Sequence, residues 1–297
     1  MAQPMIKQLI ESKMEQDGWV ETGIHGVRLF RVTQPIPCVP AVYEPMVIAI
    51  VNGSKEAIVD GKRHFYDRRQ YLSCSVSMPV EAGTPQACPE SPLLGVSIAI
   101  ETNVMRELVV EFERHAGVTK SDTKGELPEG LALASWDTCF TDALLRVLEL
   151  VDAPLDSAIL AQSRLRELYY AILKGEGGAT FRRAFGIGNE IARSIEYLSS
   201  HIGDNVTIEQ LASQVSMSRA VFHRKFKQAT MMSPIQFIKS MRLNHAAIKI
   251  VGGMTVSAAA LSVGYVSSSQ FSREFKRLYG QSPKQWAQSQ QPVADMA

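Results

Sequence analysis

The chain of 297 residues has no long hydrophobic run. Nothing approaches the roughly 18 consecutive apolar residues that a membrane-spanning helix needs, so no transmembrane segment is expected. The N-terminal Met1-Ala-Gln-Pro and the mixed segment after it lack the apolar core of a secretory leader. Cysteine is scarce and scattered: Cys38, Cys74, Cys88 and Cys139 form no Cys-x-x-Cys. That spacing argues against a disulfide scaffold or a zinc-thiolate site and fits a reducing cytoplasm. Neither a Gly-x-Ser-x-Gly elbow nor a phosphate-binding P-loop occurs. A net charge of only +1 would, taken alone, argue against a nucleic-acid binder.

The charge is unevenly divided. Residues 189–286 carry 12 Lys+Arg against 5 Asp+Glu, net +7, whereas residues 1–188 are net −5. A basic C-terminal third suits phosphate contact, and the acidic remainder does not.

That basic third contains one pattern twice. The first copy runs Thr207-Ile-Glu-Gln-Leu-Ala212, a turn at 215–217, Ser218 to Lys227, and Ser233-Pro-Ile-Gln-Phe237. The second runs Thr255 to Ala260, a turn at 263–265, Ser267 to Lys276, and Ser282-Pro-Lys-Gln-Trp286. Thr207/Thr255 and Ala212/Ala260 are 48 apart, while Phe222/Phe271, Phe226/Phe275 and Ser233/Ser282 are 49 apart. The second turn should therefore be one residue longer. Thr207 with Gln210, Ser233 with Gln236 and Ser282 with Gln285 have capping-box spacing, the last two with Pro at the first helical position. In the longer helix of each copy, Phe222/Phe226 and Phe271/Phe275 share one buried face. The opposite face carries Arg219, His223 and Lys227, or Gln270, Arg273 and Arg277. Each copy thus describes a helix-turn-helix with a basic, amide-rich second helix.

Residues 190–286 resemble the DNA-binding domain of the AraC/XylS transcription regulators. The resemblance rests on Ala212, Ser218, Phe226-Lys227, Ser233-Pro234, Arg242-Leu243…Ala246, Gly264-Tyr265, Ser267, Phe271-Ser-Arg-Glu-Phe275-Lys276 and Gly280-x-Ser282-Pro283. It implies a middle helix near 234–251, about 18 residues and ~27 Å long, holding two recognition helices less than one ~34 Å B-DNA turn apart. DNA gripped by both should bend toward the protein.

Upstream, short β-rich runs at 27–32, 46–51, 56–59, 71–76 and 93–100 alternate with Gly- and Pro-containing breaks, among them Pro35-Ile-Pro and Gly83-Thr-Pro85. Asp60-Gly61 has the two-residue hairpin signature. Such a pattern predicts a small β-barrel or jelly roll. Gly26-Val-Arg-Leu-Phe30, Pro40 to Pro45, and Tyr66-Asp67…Gln70-Tyr71-Leu72 resemble the cupin-like N-terminal domain of AraC-type regulators, which implies an effector site. Helices are expected at 5–16, 104–114, 136–151 and 155–174. The last places Ile159, Leu160, Leu165, Leu168, Tyr169 and Ile172 largely on one face, either against the barrel or against a second copy of the chain. Glycine density at 175–178 and 186–188 suggests a flexible joint.

The fold class expected is α+β: a cupin-like barrel with flanking helices over 1–176, a linker over 177–188, and an all-α double helix-turn-helix domain over 189–297. The resemblance places base-edge readers at Ala220, His223 and Arg224, and at Ser268, Ser269, Gln270 and Arg273. Lys227, Lys276 and Arg277 are expected at phosphates, as are the helix N-termini at Ser218 and Ser267, and Arg219 is expected on the DNA-contacting face. Arg suits guanine O6/N7 and Gln suits adenine. Cys74, His64 and Tyr43 are the candidate effector contacts, Cys74 sharing one strand face with Leu72 and Val76. A thiol sensor of a reactive aldehyde or other electrophile would need access and a lowered pKa. Cupin enzymes hold metal with a His-x-His and further ligands; here His64 precedes Phe65-Tyr66, and His25 and His115 lie far off, so neither metal nor cofactor is expected. The expected partners are double-stranded promoter or operator DNA, a small-molecule effector, RNA polymerase and a second copy of the chain. The competing readings are a cupin-type enzyme with a DNA-binding tail and a DNA-bending protein without an effector.

Overall fold

A computed structural model describes residues 2–116, 130–186 and 189–289. After α1 (Ala2–Lys13), nine strands follow: β1 (Gly18–Glu21), β2 (Val27–Val32), β3 (Ile36–Tyr43), β4 (Met46–Asn52), β5 (Ser54–Val59), β6 (Lys62–Asp67), β7 (Gln70–Cys74), β8 (Met78–Thr84) and β9 (Leu93–Ala99). Helix α2 (Thr102–Ala116), β10 (Leu131–Ser135), α3 (Thr138–Leu148), α4 (Pro154–Lys174) and α5 (Gly178–Phe185) complete the N-terminal half. Two antiparallel sheets result, ordered β1-β2-β9-β4-β7-β10 and β3-β8-β5-β6.

Strand β4 shows why the central strands read as unbroken apolar runs. Ile48 and Ile50 enter the core between the sheets, whereas Val47, Ala49 and Val51 join a second core under the helices. The larger sheet is covered on both faces, so period-two alternation separates two hydrophobic environments rather than oil from water. Leu72, Cys74 and Val76 fall together in the inter-sheet core, on the shared face read from the sequence. Asp60 and Gly61, at φ 47° and 77°, close the β5–β6 hairpin in the left-handed geometry that turn demands.

Strand β3 contains Pro37 and Pro40 inside its span, where the sequence suggests a break at 35–37. It lies at a sheet edge, so a missing N–H on its outer side leaves no ladder bond unmade. In α4, Leu165, Leu168, Tyr169 and Ile172 are buried within the protomer. Ile159 and Leu160, in the N-terminal half of the helix, are exposed.

The flexible joint suggested by glycine density is corrected over 178–185, where the chain forms α5 and buries Phe181 and Phe185 in the helix-side core. Close approach, not freedom, explains the glycine at its start. A Cβ on Gly178 would fall 1.9 Å from the Leu173 carbonyl oxygen. Residues 187–188 lie outside the described residues.

The regular elements of the C-terminal part, among its described residues, are helices: α6 (Glu190–Ser200), α7 (Ile208–Gln214), α8 (Arg219–Thr230), α9 (Pro234–Val251), α10 (Val256–Ser262), α11 (Ser268–Tyr279) and α12 (Pro283–Ser289). Each capping box read from the sequence is made: Thr207 with Gln210, Ser233 with Gln236, and Ser282 with Gln285. The first helix-turn-helix shares a continuous core with the barrel interior, whereas the second builds its own around Phe271, Phe275 and Trp286.

Candidate nucleic-acid interface and barrel cavity

The two copies differ where the sequence offset implies. Ser216 and Gly264, the left-handed residues of the two turns, stand at φ 53° and 85° and are 48 apart, while the N-caps Ser218 and Ser267 are 49 apart. The extra residue therefore falls after the left-handed position, beside Val266, which is 99% exposed. Gly264 is constrained twice. A Cβ there would lie 2.8 Å from the Gly203 carbonyl oxygen and 3.2 Å from the Arg242 guanidinium carbon. Arg242 in turn donates to the carbonyls of Ile202 at 3.1 Å and Asp204 at 2.6 Å, stitching α9 to the loop after α6.

Burial of Phe222 and Phe226 fixes the rotation of α8, and Phe271 and Phe275 do the same for α11. Each pair is in ring contact, with centroids 5.4 Å apart. Rotation so fixed leaves Arg219, Ala220, Arg224 and Lys227 exposed on α8, and Ser268, Ser269, Gln270, Arg273, Lys276 and Arg277 exposed on α11. Side-chain oxygens of Ser218 and Ser267 accept from the N–H groups of Val221 and Gln270, forming the caps that begin both helices.

Two of these side chains are engaged locally. Arg219 pairs with Glu209 at 2.9 Å across the first motif, both side chains well exposed. Gln270 Nε2 donates to Glu274 at 3.2 Å. Glu274 also accepts from the Tyr265 hydroxyl at 2.8 Å and from Lys239 at 3.3 Å. Burial opposes ionisation of Glu274, but these donors outweigh it and hold the carboxyl below its ordinary range. His223 is only partly accessible and its Nε2 is sequestered without a hydrogen-bond partner, a less open position than its neighbours on α8.

The barrel holds a cavity of about 240 Å³. Trp19, Phe30, Ile48 and Tyr43 supply aromatic and aliphatic wall, Arg28 and Lys55 supply cationic groups, and Ile248 of α9 closes one side. The Arg28 guanidinium lies 4.7 Å from the Trp19 ring centroid, and the Lys55 ammonium 5.5 Å from that of Phe30. Burial lowers the Lys55 pKa to about 8. Of the three candidate effector contacts, Tyr43 lines this cavity, whereas Cys74 and His64 do not. Cys74 is fully buried, donates to the Val76 carbonyl at 3.1 Å, and has its thiol pKa pushed strongly upward by burial. That is the reverse of what a reactive thiol requires. Arg28, Trp19, Lys55 and Ile248 escaped the sequence reading: charged residues on short strands look like solvent-facing positions until the second sheet is in place.

Comparison with known proteins agrees with this architecture. A family model described as the AraC-type transcriptional regulator N-terminus matches residues 23–180, and a helix-turn-helix domain model matches residues 211–289. An uncharacterized HTH-type transcriptional regulator of Haemophilus influenzae is 45% identical over 83 residues, 28% of each chain. The raffinose operon regulatory protein RafR of Pediococcus pentosaceus is 25% identical over 147 residues, 49% of this chain and 53% of its own. The chain thus spans between about a quarter and about half the length of these curated relatives. Among solved structures, unsaturated fatty acid-bound ToxT of Vibrio cholerae superimposes with a TM-score of 0.56 at 12% identity, covering 92% of this chain and 97% of ToxT, a likeness of fold. With a family model matching residues 23–180, more than half of the chain, and a doubled helix-turn-helix following it, the chain belongs to the AraC-type transcriptional regulators.

Proposed function

We propose that this chain is a ligand-responsive transcription regulator that reads two adjacent major grooves of one duplex with α8 and α11. The observation that carries the reading is the matched pair of exposed faces. Two helices of equal length, each rotated by its own buried phenylalanine pair, present Arg, Lys, Ser and Gln outward, one preceding and one following the long helix α9 in the chain. Arg224 and Arg273 are assigned to guanine edges, Gln270 to adenine, and Ala220, Ser268 and Ser269 to adaptable contacts. Arg219, Lys227, Lys276 and Arg277 are assigned to phosphates. His223 reaches a base edge only after leaving its sequestered position. At 1.5 Å per residue α9 is ~27 Å long, short of the ~34 Å groove repeat, so the bound DNA bends toward the protein.

The barrel cavity is the effector site in this reading, with residues 1–176 as the sensing unit and 189–297 as the DNA unit. ToxT shares the fold and has been crystallised with an unsaturated fatty acid. Apolar walls with Lys55 and Arg28 suit an apolar molecule with an anionic head better than an electrophile aimed at buried Cys74. The exposed Leu155, Ile159 and Tyr170 of α4 offer a face for a second copy. The protein works in the cytoplasm beside RNA polymerase.

The test begins by selecting duplexes from a random pool with the full-length chain, then measuring affinity against salt and bend angle by circular permutation. Expected are a sequence preference, affinity that falls steeply with salt, and mobility that depends on site position. Binding indifferent to sequence and salt would sink the reading.

A further inference from the structure

The barrel and the second reading helix meet at one buried side chain. Asn244, 4% exposed near the middle of α9, donates from Nδ2 to the carbonyl of Ala41 at 2.7 Å and that of Val80 at 3.0 Å. Ala41 and Val80 are directly opposed in the β3–β8 ladder. The Asn244 Oδ1 accepts from the Tyr279 hydroxyl at 2.6 Å, and Tyr279 is the last residue of α11. Both ends of this buried amide are therefore bonded, one to the barrel and the other to the helix assigned to the second groove. A buried amide is costly unless so paired, and an apolar residue would have sufficed to fill the space.

We propose that Asn244 and Tyr279 form a latch, bordering the cavity, through which the barrel restrains the second reading helix. The inference rests on the DNA-reading function proposed above.

Three further observations support it. The first reading helix has its own anchor: the Ala229 carbonyl near the end of α8 accepts from the Gly130 N–H just before β10. Each reading helix is thus held at its C-terminal end by the barrel half, leaving its outer face open. Ala41 also lines the cavity, as does Ile248, one turn beyond Asn244 on α9. A molecule in the cavity consequently bears on both the strand that accepts the latch bonds and the helix that donates them. Finally, Val39 of β3 lines the same cavity and packs against the core of the second helix-turn-helix.

The direction of the effect follows from geometry. With α8 and α11 both pinned, their spacing is set by the barrel, and DNA must supply the whole deformation needed to reach the groove repeat. Freeing α11 lets the protein share that adjustment. The latched chain should therefore bind a complete site less tightly than the unlatched one, and the difference should vanish when only the first groove is read.

The experiment uses the full-length chain and a duplex selected from a random pool, alongside a copy in which the bases read by α11 are scrambled. Wild type, Tyr279→Phe and Asn244→Leu are compared by fluorescence anisotropy at one salt concentration. Tyr279→Phe keeps the ring contacts with Phe275 and Trp286, so it serves even if Asn244→Leu fails to fold. The expected result is at least five-fold tighter binding to the complete site, with affinity for the scrambled site within two-fold of wild type. Unchanged or weaker binding of Tyr279→Phe to the complete site overturns the latch, as does an equal gain on both duplexes. A wild-type chain that selects no duplex refutes the DNA-reading function instead, and the latch falls with it.

Discussion

Replacing Gly264 by alanine isolates the geometry of the second turn. The residue stands at φ 85°, and holding a non-glycine residue in that region costs about 1–3 kcal/mol. The new Cβ would also lie 2.8 Å from the Gly203 carbonyl oxygen and 3.2 Å from the Arg242 guanidinium carbon. The first neighbour is backbone, and the second is held by two hydrogen bonds, so neither yields freely. Overpacking of this kind adds about 1–3 kcal/mol, for a total of about 2–6 kcal/mol. The loss should be local, because the second motif has its own core. Native-state hydrogen exchange is therefore the suitable assay. Amides of α10 and α11 should exchange about 30-fold faster or more, at 1.4 kcal/mol per factor of ten, while those of β4 and β9 keep their protection. Ser216, at the matching position of the first turn, already carries a side chain at φ 53°, so Ser216→Gly should alter exchange in α7 and α8 by less than about five-fold, roughly 1 kcal/mol. If Gly264→Ala leaves α10 and α11 protected, the positive φ and the close approach do not shape this turn, and the reasoning fails.

Other outcomes follow from the same structure. Arg273→Ala should cost about 1–3 kcal/mol at one base position of a selected site, whereas Lys227→Ala should weaken all duplexes alike and lower the salt slope by about one; calorimetry and salt titration separate the two. Lys55, with its pKa lowered to about 8 by burial, is a cation at pH 7. A bound anion favours the protonated form, so the affinity for decanoate should be level below about pH 8 and decline above it. Lys55→Met should remove that decline, and a flat wild-type profile across pH 7–10 would contradict the assignment. Under native alkylation at pH 7.5 the exposed Cys139 should react first and Cys74 last; prompt modification of Cys74, read by peptide mass spectrometry, would show that its burial is not maintained.

Much of the C-terminal half is legible in the sequence because its determinants are local. A cap lies three residues from its partner, a phenylalanine pair four apart sets a helix face, and the changed offset in the repeat locates an inserted residue. Strand β2 and the Asp60-Gly61 hairpin are equally local and match what their residues imply. Reading fails where distant chain decides the outcome. Pro37 and Pro40 look like strand breakers until β3 is seen at an edge, where the lost donors matter little. Glycines at 175–178 suggest freedom, but Gly178 serves a close approach to Leu173 that only the folded chain creates. Asn244 reaches Ala41 across 203 residues of sequence, and no periodicity could announce that bond. The cavity was hidden for the same reason: Arg28 and Lys55 acquire meaning only when β2 and β5 face each other across the barrel.

Methylation interference on a selected duplex tests directly whether the two helices engage neighbouring major grooves. Guanine N7 lies in the major groove, so the full-length chain should give two clusters of interfering guanines on one face of the DNA, their centres about 10 base pairs apart. Arg224→Ala should erase one cluster and Arg273→Ala the other. A single cluster, or two clusters on opposite faces, would contradict the account.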